Sequence, residues 1–175
     1  MKRQRQVTRR DKPVSMVTRI MRGIVLLVAI TASNAWDAQA LVNREEATAE
    51  RMRRFSSEII AAYERRDTKA LKSFYAQQPG ALFFWERKMS YSWQQIDHTI
   101  DSLVSAVAHL KLTTSEFRSG GSGNTGWFAT TFHVERVTPE GKRFASDGRW
   151  TVVAEKIGGR WRIVHEHTSF PLPES

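Results

Sequence analysis

Apolar positions change their period along the chain, and the change marks the elements. Met52, Phe55, Ile59 and Ala62 recur at steps of three and four among Arg and Glu residues, which predicts an amphipathic helix from Asn43, as cap with Glu46, to about Arg66. Asp67 is placed to cap a shorter helix through Leu71, Phe74 and Tyr75, ended by Gln77-Gln78-Pro79-Gly80. Leu82-Phe83-Phe84-Trp85 reads as a short buried strand. Ser92 with Gln95 forms a capping box for a third helix carrying Ile96, Ile100, Leu103, Val107 and Leu110.

From Lys111 onward the period is two. Strands are predicted at Leu112 to Arg118 and Trp127 to Val137, joined by a flexible hairpin loop over Ser119 to Gly126. Thr138-Pro139-Glu140-Gly141 then turns the chain into a strand holding Phe144 and Trp150. The segment Gly148 to Lys156 leads through the turn Ile157-Gly158-Gly159-Arg160 into the last strand. Alternation there puts Trp161, Ile163, His165 and His167 on one face, and Arg162, Val164, Glu166 and Thr168 on the other. A run of helices followed by a run of antiparallel strands argues an α+β fold, with the helices on one side of a curved sheet.

Residues 1–40 stand apart. Basic residues precede the apolar run Ile24 to Ile30, and Ala38-Gln39-Ala40 or Ser33-Asn34-Ala35 offers small residues for cleavage after Ala40 or Ala35. The reading is a signal peptide ahead of one domain at 41–175, placed in the periplasm or secreted. A membrane span needs about 20 apolar residues, so no retained anchor is expected. A basic tail on a cytoplasmic protein is the alternative. Charge follows the same division. Of the total of +9, residues 1–40 carry +6 (eight Lys or Arg against two Asp), which leaves +3 for the rest. Such a domain has no basic stripe for nucleic acid. With no Cys, disulfides, thiolate metal sites and a Cys nucleophile are excluded.

The closing pair of strands reads G-R-W-T-V-V-x-x-K-x-G-G-R-W-R-I-V-H-E-H-T-S-x-P from Gly148 to Pro171. It resembles the C-terminal hairpin of the nuclear transport factor 2-like superfamily, nearest to the SnoaL-like and ketosteroid-isomerase-homologue branch. The W-x-x-V-H-x-H-x-S ending is also similar to the calmodulin-dependent kinase association domain. The resemblance implies a cone-shaped fold over Asn43 to Pro171, with three N-terminal helices packed on a curved, mostly antiparallel sheet. It implies a blind pocket between helices and sheet, and an outer sheet face used for dimer contacts.

The same resemblance tests the chemistry. The isomerase's catalytic Tyr position falls at about Ile59, with Tyr63 one turn later on the same face. Its proton-shuttling Asp falls at Trp85 or Glu86, and its further acid near Thr151 or Val152. The family's parity turns Val164, Glu166 and Thr168 into the pocket and leaves Trp161, Ile163, His165 and His167 for the oligomer face. Glu166, beside Val164 and Trp150, is then a candidate general base with its pKa raised by desolvation, and Glu86 a second candidate. An ion pair with an Arg on a neighbouring strand is the competing reading of Glu166. Tyr63, Trp85, His133, Trp150, Val164 and Thr168 are the candidate ligand-binding residues, although residues around His133 are bulky and apolar on both parities. His165 and His167 with His133 lack a companion carboxylate, so no metal is assigned. His98 and His109 are placed on the third helix, facing solvent.

No glycine-rich phosphate loop, nucleophile elbow or zinc signature occurs, which removes support for nucleotide and hydrolase functions. The expectation is a cofactor-free domain binding a small apolar ligand, with isomerase or dehydratase (lyase) chemistry on a carbonyl compound. A non-catalytic binding or self-association module is the alternative.

Overall fold

Four long strands joined by tight turns dominate the computed structural model, which describes residues 16–85 and 88–170, with side chains from Gln39 onward. In chain order the elements are α1 (Met16–Glu64), α2 (Thr68–Ser73), β1 (Leu82–Trp85), β2 (Lys88–Ser90), α3 (Trp93–Ser105), β3 (His109–Ser122), β4 (Thr125–Val137), β5 (Arg143–Ile157) and β6 (Arg160–Ser169). The chain divides into two compact units, Met1–Val42 and Asn43–Ser175. The first is helical from Met16; its initial fifteen residues, which hold most of the expected basic segment, lie outside the described residues. The second holds everything below.

Asn43 does not begin a helix as the capping pattern predicts. It lies inside α1, because Ala38, Ala40 and Leu41 before it are good helix formers and continue the ladder. The inward stripe is as predicted: Met52, Phe55, Ile59 and Ala62 are buried. Close approach of this helix to the sheet needs a glycine, since a Cβ on Gly126 would stand 2.6 Å from Met52 Sδ. At the helix end Arg66 adopts φ 58°, and the Asp67 N–H donates to the Ala62 carbonyl at 2.9 Å. Asp67 then caps α2, its carboxylate accepting the Ala70 N–H at 2.9 Å.

One sheet runs in the order β2-β1-β6-β5-β4-β3. All neighbours are antiparallel except β1 and β6, which are parallel. Two bulges bend it. On β3, Glu116 at φ 50° and Phe117 fall between the pairs Ser115↔Thr131 and Arg118↔Ala129. On β6, the pairs Val153↔His165 and Ala154↔Ile163 leave Val164 without a counterpart. Each extra residue tightens the local twist, so the sheet curls around the helices.

Several boundaries differ from the sequence-based expectation. The glycine run after Arg118 is strand rather than loop, and the hairpin narrows to Gly123 and Asn124. Gly120 stays in the ladder because its missing side chain leaves room for the Trp127 ring, 3.0 Å from where a Cβ would be. Helix α3 stops at Ser105, so Val107 lies beyond it, and Leu110 with His109 belongs to β3. Strand β2 was unforeseen; its three residues are too few to show a period. The hairpin at Gly158 and Gly159 is as expected, with φ of 57° and 80° suiting a primed turn.

Candidate functional site

On β4 the alternation Gly126, Phe128, Thr130, Phe132, Val134 points into the core and forms the floor of the cone. On β5, Gly148, Trp150, Val152 and Ala154 do the same. Across β6 this inward row continues with Thr168 opposite Trp150, Glu166 opposite Val152 and Ile163 opposite Ala154. A cavity of about 120 Å³ remains between this floor, Tyr63 of α1, the end of α3 at Leu103 and Val104, and Val107 just beyond it. Its walls are mainly apolar, with Trp85, Leu112, Phe132 and Phe170 closing the sides.

Among the described residues Glu166 is the acidic group in that wall, and it is only 4% exposed. Both of its oxygens are held: Trp150 Nε1–H donates to Oε1 at 2.7 Å, and the Tyr75 hydroxyl donates to Oε2 at 2.7 Å. Tyr63 extends the chain, its hydroxyl 3.4 Å from that of Tyr75. Burial pushes the Glu166 carboxyl above its ordinary range, against the opposing pull of the Tyr75 and Trp150 hydrogen bonds. Burial and then the Glu166 charge push both tyrosines well above the phenol range, so they remain hydrogen-bond donors. Each carboxylate oxygen has a second lone pair, so a ligand in the cavity can still reach Glu166.

The competing reading of Glu166, an ion pair with a strand arginine, is not what forms. Its partners are a tyrosine and a tryptophan, because the inward neighbours of Glu166 on β5 and β1 are Val152 and Phe83. Tyr63, Trp85, Trp150 and Thr168 line the cavity beside Glu166. Val164 does not; at the bulge it is half-buried against the core. His133 is also outside the cavity. It is on the opposite parity of β4 from Phe132 and Val134, exposed, with Nδ1 2.8 Å from an Asp147 carboxylate oxygen. Glu86 lies outside the described residues.

The β6 bulge also corrects the outer face. A strict period of two groups Ile163 with His165, but the unpaired Val164 switches sides between them. Ile163 is therefore fully buried and Trp161 packs against the core, whereas His165 and His167 look outward beside Phe84, ring centroids 6.0 and 5.9 Å away. Among the described residues no group of three or more His, Asp or Glu gathers as for a metal.

Tyr75 is the site residue that sequence reasoning passed over. It reads there as the apolar end of a short helix. In the fold it leaves that helix for a bridge with Ile163, its backbone flanked by Phe74 O accepting the Ile163 N–H at 2.7 Å and Ala76 N–H donating to Ile163 O at 2.9 Å. An aromatic hydroxyl among otherwise apolar core positions was the available signal.

A family model described as a SnoaL-like domain matches residues 53–173. Solved structures share the fold. A nuclear transport factor 2-like superfamily protein from Salmonella enterica is 20% identical, with TM-score 0.66 over 74% of this chain and 95% of that one. A Streptomyces avermitilis protein of the same family, named provisionally as a dehydratase, is 12% identical with TM-score 0.66, covering 73% of this chain and 99% of that one. The association domain of calmodulin-dependent kinase II from C. elegans is 15% identical with TM-score 0.57, covering 71% and 97% respectively. None of the curated proteins matches.

Proposed function

Because the chain belongs to the SnoaL-like domain family, we propose that its cavity binds a small, largely apolar carbonyl compound and performs acid–base chemistry on it. The observation that carries this reading is the buried Glu166 carboxylate, held by Tyr75 and Trp150 in an apolar wall. A carboxylate whose pKa is raised by burial is a stronger base than one in water, and the fixed donors orient it. In the proposed reaction Glu166 takes a proton from the carbon next to the carbonyl. The electrons move to the carbonyl oxygen, where the Tyr63 hydroxyl on the cavity wall becomes the donor by turning its proton away from its long 3.4 Å contact with Tyr75. Returning the proton to a more distant carbon completes an isomerisation; loss of a β-hydroxyl as water, with that proton, completes a dehydration.

The test is a panel of enones and β-hydroxy carbonyl compounds followed by absorbance. Turnover by the native protein that is strongly reduced in Glu166→Gln is the expected result; a native protein inert on every member removes the catalytic reading and leaves a binding domain.

A second reading has its own observation. The outward aromatic cluster of Phe84, His165 and His167, on a sheet face where Trp127 is 42% exposed, suits self-association into a homodimer. His167→Asp would place a carboxylate in that contact, and sedimentation velocity is expected to show a shift from dimer to monomer; an unchanged profile rejects it.

Export is proposed from the order of basic, apolar and small residues in 1–40. Among the described residues no helix is long and apolar enough to cross a membrane. N-terminal sequencing of the native protein is expected to begin at Leu41 or Trp36, and a start before Ala35 contradicts cleavage.

A further inference from the structure

The inward row of β4 does not end with Val134. Two residues on, at the same parity, comes Arg136, half-buried and lining the cavity. Its Nε is buried without a hydrogen-bond partner, and Arg136 takes part in none of the ion pairs found among the described residues. Its strand neighbours are Leu110 and Phe144, neither of which offers a side-chain acceptor. The guanidinium carbon lies 6.0 Å from the centre of the Phe170 ring, which supports the flat group from one side.

A cation with an unanswered N–H in an apolar wall is costly to keep unless something else supplies the acceptor. Among the described residues, Arg136 and Glu166 are the charged members of the lining, and they stand apart in register. Phe128 is level with Val152 and Glu166, whereas Arg136 is eight residues further along β4.

We propose that Arg136 is a specificity-determining residue that receives a carboxylate of the ligand, whose apolar body then runs along the cavity toward Glu166. The inference deepens the small-molecule reading above and rests on it. A monocarboxylate fits better than a phosphate monoester, because among the described residues the lining holds no second cation to offset a second charge. A carboxylate anchored at the far end would also fix which carbon faces Glu166, so binding energy from a non-reacting group sets the site of proton removal.

The experiment compares two probes that differ only in the anionic group, 4-phenylbutyrate and 4-phenylbutan-1-ol, by isothermal titration calorimetry on the full chain. The native protein is expected to bind the acid on the order of 10- to 100-fold more tightly than the alcohol, as for a hydrogen bond to a charged group. Arg136→Gln is expected to remove that preference while the alcohol binds as before, and Arg136→Lys to retain part of it. Equal binding of acid and alcohol by the native protein overturns the role of Arg136 and leaves the cavity reading standing. Binding of neither overturns both. Should Arg136→Gln fail to fold, the comparison within the native protein decides.

Discussion

Glu166→Gln is expected to lower turnover by roughly 10²- to 10⁴-fold, the usual contribution of a positioned general base, without unfolding the protein. The amide can satisfy the same site. Its oxygen accepts from Trp150 Nε1, its NH₂ donates to the Tyr75 hydroxyl, and that hydroxyl turns its proton toward Tyr63. Stability should change in the opposite sense to activity. The folded-state pKa of Glu166 is raised, so over the interval between the ordinary carboxylate value and the raised one the folded state binds more protons than the unfolded state. Stability therefore falls as pH rises through that interval, by up to about 1.4 kcal/mol per pH unit, and the protonated form contributes fully only below it. The Gln variant loses this slope and is expected to be at least as stable as the native protein at pH 7. Activity has the reverse dependence, since the base must be ionised, and rises through the same interval. Urea denaturation of both proteins across pH 4 to 8 checks the sign in the difference between them, since Glu64 and Glu140 contribute alike to both; a native protein that gains stability relative to the Gln variant as pH rises would mean Glu166 is not desolvated as described.

Trp150→Ala is expected to cost about 3–5 kcal/mol, the range for deleting a buried large aromatic. That is a large share of the roughly 5–15 kcal/mol by which a domain is stable, so the variant's denaturation midpoint should fall markedly. Two losses combine. The indole is 4% exposed and meets Phe128 edge to face at 4.8 Å, and it also supplies one of the two donors to Glu166. Trp150→Phe separates them: it keeps most of the packing and removes the donor, at about 1–3 kcal/mol for a buried acceptor left short. It should also move the Glu166 pKa further up, because a hydrogen bond that favours the charged form is gone. Denaturation midpoints for the two variants are the measurement. Equal losses would show that the hydrogen bond, and not the ring, accounts for the effect.

Local pattern carried much of this molecule. The stepping of Met52, Phe55, Ile59 and Ala62, the caps at Asp67 and Ser92, the glycine turn at Gly158 and Gly159, and the order of helices before strands are all properties of short segments. A residue's own neighbours in sequence suffice to express them, so they were legible without coordinates. The inward setting of Glu166 and Thr168 was legible too, because both lie on the same side of the β6 bulge and the family's parity holds there.

Only the tertiary structure decided what Glu166 meets and which way the residues beyond the bulge turn. Its hydrogen bond to Tyr75 joins positions 91 residues apart, and no periodicity relates them. The bulge at Val164 arises from pairing with β5, and it alone moves Ile163 into the core while His165 stays outside. Arg136 keeps the parity of an apolar row, so its place on the wall follows from register on β4 and its lack of a partner from what β3 and β5 put beside it. Periodicity is set by a strand's own geometry and can be read from the chain, whereas pairing partners, bulges and buried hydrogen bonds depend on segments that meet only when the sheet closes around the helices.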